Sequence, residues 1–172
     1  MSIPILQIVG YSNSGKTTLI TEIIQELKDK NRKVAVIKSA RMHEFSRDNN
    51  KDSSRFIAYG ADNVAVMFEN GVKMYMPTSM NIRKIIDIIS ISVDPDIILM
   101  EGFKKGTYDK ILLWSDKLNE NVTEFNLRNL KAIYNPNGTE IKNPLILKRI
   151  EKGIPIIETS KEICDFIEKK YF

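Results

Sequence analysis

Apolar residues along this chain fall into two kinds of run. Short unbroken stretches alternate with longer ones in which the apolar positions recur at three and four, and that alternation predicts an α/β fold. Ile3 to Val9 reads as a strand, and from Thr17 onward Leu19, Ile20, Ile23, Ile24 and Leu27 give a helix one buried face, with Asn31 as its left-handed terminator. Val34 to Ile37 is wholly apolar. A strand buried on both faces is what a parallel sheet covered by helices requires, so the first two strands and their helix form a right-handed βαβ unit. Ile82, Ile85, Ile86 and Ile89 make a second helical stripe, started near Thr78 or Ser79 and ended by Asp94-Pro95-Asp96. Ile97 to Met100 is again a fully apolar strand. Ile111 to Trp114, Ala132 to Tyr134 and Ile154 to Ile157 read as further strands, the second closed by an Asn135-Pro136-Asn137-Gly138 turn. Thr159 and Glu162 have capping-box spacing ahead of a last helix with Ile163, Phe166, Ile167 and Tyr171 on one face.

Two stretches interrupt this rhythm. Residues 39–51 are polar and longer than the usual α/β connection, and Asp52 to Ala58 reads as a short helix with Asp52 as N-cap and Gly60 as stop. Val64 to Phe68 and Val72 to Met76 flank Glu69-Asn70-Gly71, which predicts an antiparallel hairpin at one edge of the sheet.

Between the first strand and helix stands Gly10-Tyr11-Ser12-Asn13-Ser14-Gly15-Lys16-Thr17-Thr18, a complete Gly-x4-Gly-Lys-Thr phosphate-binding loop. Its glycines let backbone N–H groups approach phosphate oxygens, and the following helix points its positive end at the anion. Lys16 reaches the β/γ-phosphates and the Thr17 hydroxyl ligates Mg²⁺. The loop describes a nucleoside-triphosphate site. Such a site takes a second acidic contribution from a carboxylate at the end of a nearby buried strand, and Glu101, directly after Ile-Ile-Leu-Met, is placed for it; a solvated strand-end acid is the plainer alternative. Asp96 falls at the opposite end of that strand and reads as structural. Lys38 ends the second strand on the same edge as the loop, suited to phosphate or a second anion, or to snorkelling. Lys51, Arg55 and Lys104 are expected to converge with Lys38 as a basic surface beside the nucleotide, Arg55 gripping phosphate as a fork, unless it only pairs with Asp52 one turn away.

Length and composition narrow the classes. A chain of 172 residues suits one domain, read here as 1–172, and no stretch approaches 18 uninterrupted apolar residues, so no membrane span is expected. Met1 to Val9 lacks a basic leader, so no signal peptide is expected either. A net charge of +4 suits anionic ligands, but its lysines and arginines are interleaved with acids, which argues against nucleic acid as a partner. The single cysteine, Cys164, excludes an internal disulfide, fits a reducing cytoplasm, and sits in an apolar helical pattern that favours packing. His43, the single histidine, has no neighbouring ligands in sequence and reads as a loop residue.

The loop with Ser-Gly-Lys-Thr-Thr, the strand-ending Lys38, Lys51-Asp52-Ser53-Ser54-Arg55 followed by Ala58-Tyr59-Gly60-Ala61, and Glu101-Gly102-Phe103-Lys104 together resemble the MobB family of molybdopterin-guanine dinucleotide biosynthesis adapter proteins, over roughly residues 3 to 167. The resemblance implies a three-layer phosphate-loop NTPase fold, a mostly parallel sheet with helices on both faces and the antiparallel edge hairpin. It implies GTP and Mg²⁺ as ligands, weak GTP hydrolysis, homodimers, and an adapter role beside the molybdopterin guanylyltransferase or a molybdoenzyme apoprotein. On these positions it puts Lys16 and Glu101 in hydrolysis, Thr17 and Glu101 on the metal, and Gly10, Asn13, Ser14, Gly15, Lys16, Thr17, Thr18, Lys38, Asp52 and Arg55 in binding. The chain departs from the family at Ser39, where histidine is usual, with His43 a loose counterpart. No Asn-Lys-x-Asp guanine signature is present; Asn135 follows a strand where a base-reading residue stands, or is simply a turn residue. A small-molecule kinase of the same fold, with a lid drawn from Arg41 to Arg55, is the competing reading, and a nickel metallochaperone GTPase would want a Cys/His cluster that the sequence lacks.

Overall fold

Six of the short apolar runs line up as one parallel sheet. The computed structural model describes residues 3–39, 52–76 and 81–172, with no side chain described for 52–54. The elements run β1 (Ile5–Val9), α1 (Lys16–Asp29), β2 (Val34–Lys38), α2 (Asp52–Ala58), β3 (Val64–Phe68), β4 (Gly71–Tyr75), α3 (Ile82–Val93), β5 (Ile97–Glu101), β6 (Asp109–Leu113), α4 (Lys117–Glu120), β7 (Leu130–Tyr134), α5 (Pro144–Glu151), β8 (Ile156–Ile157) and α6 (Ser160–Tyr171). The sheet order is β2-β5-β1-β6-β7-β8, so the strand that feeds the glycine loop is central, between β5 and β6.

Each sheet face has its own core. Leu6 and Ile8 on β1 pack with Leu19, Ile20, Ile23 and Leu27 of α1 and Ile163, Cys164 and Ile167 of α6, as the helical spacing requires. On the other face Val9 and Leu112 meet Trp114, Leu118, Phe125 and Ile146, so α4 and α5 close the third layer. The helix ends are chemically specified. Asn31 adopts φ 59°, and the bonds Asn31 N–H to Lys28 O and Arg32 N–H to Leu27 O close α1 in the pattern its left-handed residue predicts. Thr159 and Glu162 form the full capping box of α6. Asn143 accepts from Leu145 N–H ahead of Pro144 and so starts α5, a helix not expected from the apolar pattern of the sequence.

The expectation that Val34 to Ile37 lies buried on both faces is not met: β2 is an edge strand, and Val36 is 43% exposed. Cα proximity divides the chain into two units, Met1–Ser39 with Ile89–Phe172, which holds the sheet, and Ala40–Ile88. In the second unit β3 and β4 pair only with each other, in the register Val64↔Tyr75 to Phe68↔Gly71, across a Glu69-Asn70 turn. The hairpin therefore forms, but as a sheet of its own rather than as an edge of the large one. Its strands expose Met67, Phe68, Val72 and Met74. The isoleucine stripe of α3 is half-buried throughout, and its first turn is capped by Asn81, whose Oδ1 accepts from Lys84 N–H; the Thr78 and Ser79 expected there lie outside the described residues.

Candidate functional site

The glycine loop follows β1 because its backbone takes a shape that few other residues allow. Asn13 and Gly15 have φ 59° and 92°, and this alternation with ordinary residues turns successive N–H groups toward one concavity. Gly15 is the N-cap of α1 and brings no side chain to cap it. Gly10 is fixed by space: a Cβ there would come 2.9 Å from Ser14 Oγ and 3.1 Å from both Cβ and O of Leu113. Ser14 Oγ is itself buried without a hydrogen-bond partner, an acceptor and donor held in reserve inside the loop. Lys16 Nζ donates to the Tyr11 carbonyl at 2.5 Å. Thr18 is exposed on the first turn of α1, and its carbonyl accepts from Thr21 Oγ1.

Parallel pairing of β2 with β5 sets Lys38 opposite Glu101, and pairing of β1 with β5 brings Glu101 beside the loop. Thr17 Oγ1 lies 3.2 and 3.1 Å from the two Glu101 carboxylate oxygens, and Lys38 Nζ lies 3.1 Å from Oε2. Glu101, 13% exposed, is thus held by a hydroxyl and an ammonium at the mouth of the loop. A hard divalent cation takes oxygen ligands and is commonly held by one hydroxyl, one carboxylate and phosphate oxygens, so Thr17 and Glu101 fit Mg²⁺ in their chemistry. The Lys38 ammonium already compensates that carboxylate and would share it with a metal.

Other expected members go elsewhere. Lys104 does not join a basic surface with Lys38; its Nζ pairs with Glu124 at 2.5 Å and lies 4.6 and 4.7 Å above the rings of Tyr11 and Phe125. Arg55 is on α2, in the second unit, and not in the unit that holds the sheet. Lys51, Arg41 and His43 lie outside the described residues, as does the Asp52 side chain. Asn135 is committed to its turn: its Nδ2 donates to Thr139 O, and its Oδ1 accepts from Thr139 N–H and Oγ1. Asp96 binds Lys33 N–H at 2.7 Å, a strand-entry role.

Residues outside the motif complete the surroundings. Gln7 and Lys110 are fully buried on adjacent strands, Gln7 Nε2 donating to Phe103 O at 3.2 Å and Lys110 Nζ to Gly106 O and Asn126 O at 2.6 and 2.7 Å. They brace the connection that leaves Glu101. A polar residue inside each of two apolar strands was the available signal. Burial pulls the Lys110 ammonium below its ordinary pKa, with Asp109 opposing. Tyr11 donates its hydroxyl to Asn121 O at 2.8 Å, and burial, then Glu124 and Glu120, raise its pKa.

The central strand, the glycine loop on the next helix, and the strand-end carboxylate define a phosphate-loop nucleotide-binding fold. Within that class the family model described as "Molybdopterin guanine dinucleotide synthesis protein B" matches residues 5–135, and the chain belongs to that family. It is 31% identical over 169 residues to the molybdopterin-guanine dinucleotide biosynthesis adapter protein of Haemophilus influenzae, covering 96% of this chain and 88% of that one. A probable adapter protein of the same kind from Bacillus subtilis is 30% identical over 119 residues, 66% of either chain. The crystal structure of Bacillus subtilis MobB superposes with a TM-score of 0.76 over 99% of both chains, a likeness of fold at 23% identity.

Proposed function

We propose that the chain is a GTP-binding adapter in molybdopterin-guanine dinucleotide formation, with slow GTP hydrolysis as its only chemistry. The observation that carries the nucleotide half is the meeting of Thr17, Glu101 and Lys38 at the mouth of a loop whose backbone is already shaped for phosphate. Gly10, Asn13, Ser14, Gly15 and Thr18 offer backbone or hydroxyl groups to the phosphates, Lys16 leaves the Tyr11 carbonyl for the β/γ-phosphates, and Thr17 with Glu101 holds Mg²⁺. The metal supplies charge neutralisation on the phosphates. The adapter role in molybdopterin-guanine dinucleotide formation rests on the named relatives, while guanine as the base and a guanylyltransferase or molybdoenzyme apoprotein as the partner are what the family resemblance implies. Asp52 and Arg55 belong to this reading as binding residues, Arg55 by a guanidinium suited to an anionic group. The exposed apolar side chains of the hairpin support a homodimer, and the reading is of a cytoplasmic protein; no described helix is long and apolar enough to cross a membrane.

Calorimetry of GTP with Mg²⁺ tests the central claim. Lys16→Ala should abolish most binding, because backbone amides cannot replace its point charge. Glu101→Gln should weaken the Mg²⁺ dependence while leaving the nucleotide-free melting curve close to wild type. Equal affinity in wild type and Lys16→Ala would remove the reading, and ATP bound as tightly as GTP would turn it toward a kinase of the same fold.

A further inference from the structure

Lys104 is the cation that the site lost, and its surroundings explain where it went. Its ammonium lies over two aromatic faces at once, Tyr11 and Phe125, whose rings meet edge to face with centroids 5.5 Å apart, and it pairs with Glu124. Only 19% of its side chain is exposed, so this is a built position rather than a resting place for a surface lysine. The backbone that carries it is fixed on both sides. Gln7 holds Phe103 O, Lys110 holds Gly106 O, Asn126 N–H donates to the Lys104 carbonyl at 2.8 Å, and Lys105 Nζ reaches Thr123 O at 3.1 Å. Gly102 and Phe103, at φ 91° and 53°, make the tight turn from Glu101 that aims the lysine this way.

Tyr11, the ring beneath Lys104, is the second residue of the phosphate loop. Its carbonyl is where Lys16 rests, and its hydroxyl is tied to Asn121 O. Moving that ring moves the loop backbone between Gly10 and the left-handed Asn13. We propose that Lys104 is a positioning residue for the phosphate loop, clamping Tyr11 from above so that the loop is held in its receptive shape before any ligand arrives. The inference rests on the nucleotide-binding reading for its effect on affinity, but the clamp itself is a property of the protein alone.

The experiment therefore has two arms, on Lys104→Met, which keeps the stem and loses the charge, and Lys104→Arg, which keeps a cation able to stack on both rings. In the first arm, deuterium uptake without nucleotide is expected to rise over residues 10–16 in Lys104→Met, with β7 and α6 unchanged, and to stay at the wild-type level in Lys104→Arg. In the second, GTP and GDP with Mg²⁺ should both bind Lys104→Met about fivefold to tenfold more weakly, and Lys104→Arg within about twofold of wild type. Wild-type uptake over residues 10–16 in Lys104→Met overturns the clamp. A uniform rise in uptake through the fold with unchanged affinity makes Lys104 a stability residue only, and a loss confined to GTP makes it a γ-phosphate contact; either overturns the proposal. Should Lys104→Met not fold, Glu124→Gln, which removes only the partly exposed counter-charge, is expected to raise uptake over the same residues, and no rise there overturns it. A wild type that binds neither nucleotide defeats the proposed function, while the exchange arm still judges Lys104.

Discussion

Replacing Lys110 by methionine keeps the length of a side chain that is wholly inside the protein and removes its ammonium. Two part-buried carbonyls, Gly106 O and Asn126 O, lose their donor. A hydrogen bond from a charged donor is worth roughly 1.5–3 kcal/mol, and a buried acceptor left unpaired costs about 1–3 kcal/mol. Against this, the variant no longer desolvates a charge, a relief that in other proteins has made such replacements neutral or stabilising. Here the geometry favours the lysine, because two short bonds fix the carbonyls of two loop residues, Gly106 and Asn126, at once. The net loss should be about 3 kcal/mol, which in a domain of this size lowers the melting temperature by about 10 °C. Burial depresses the Lys110 pKa in the fold, so the unfolded chain binds more protons between that lowered value and the ordinary one of about 10.4, and stability from this group rises with pH across that window. The neutral amine still has two N–H groups for its two carbonyls. Denaturant unfolding of both proteins at about pH 7 and about pH 10 should therefore show a gap that widens with pH. A variant as stable as wild type, or a gap that narrows with pH, refutes the reasoning.

Gly10→Ala forces a Cβ against the Leu113 carbonyl, which sits on the backbone at the end of β6 and cannot rotate away as Ser14 Oγ can; we expect a loss of about 1–3 kcal/mol by denaturant unfolding. Nucleotide affinity measured by calorimetry should fall with it, and unchanged affinity would show that the loop tolerates the shift. The Cys164 thiol is pushed up to about 11, first by burial and then by Glu26, so the folded chain keeps its proton above the ordinary thiol value. Its stabilising contribution is complete below about pH 8.5 and is lost as pH rises through that raised pKa. Cys164→Ala should flatten the alkaline fall in stability, and alkylation at about pH 8 should be slow in the folded chain and fast in denaturant.

Much of the architecture was legible because periodicity and end chemistry agreed. In α1 the apolar stripe, the glycine start and Asn31 all mark one helix, and in α6 the capping box falls where the stripe begins. The phosphate loop and Glu101 were legible because a parallel sheet puts strand carboxyl ends on one edge, and the register of β1 with β5 brings them together. The buried status of β2 was not, since an apolar run says that a strand is suited to a sheet and not where in the order it lies. The hairpin was read from its turn, but local signals cannot name the strand a hairpin pairs with. The fate of Lys104 was also hidden. Position after a strand end implied proximity to phosphate, whereas Tyr11 and Phe125, brought in from residues far along the chain, offered that ammonium a closer site.

Gln7 and Lys110 trace to a missing helix. Parallel strands are ordinarily joined by a crossover of a dozen or more residues that includes a helix, whose apolar stripe covers the sheet. Here β5 reaches β6 in the seven residues 102–108 while passing β1, which lies between them. Such a segment is too short to hold a covering helix; it turns at Gly102-Phe103 and again where Gly106 N–H donates to Phe103 O, and so sets peptide groups rather than an apolar helical stripe against the sheet. The sheet answers with polar side chains: Gln7 and Lys110 face one another on β1 and β6 and take up the carbonyls of Phe103 and Gly106. Gly106 has no side chain because a Cβ there would overlap the Gln7 amide. With no helix in the way, the chain leaving Glu101 is two residues from Lys104, and Lys104 is in contact with the phosphate loop. The same short connection that demands a buried lysine thereby links the carboxylate beside the loop to the residue that holds the loop's shape.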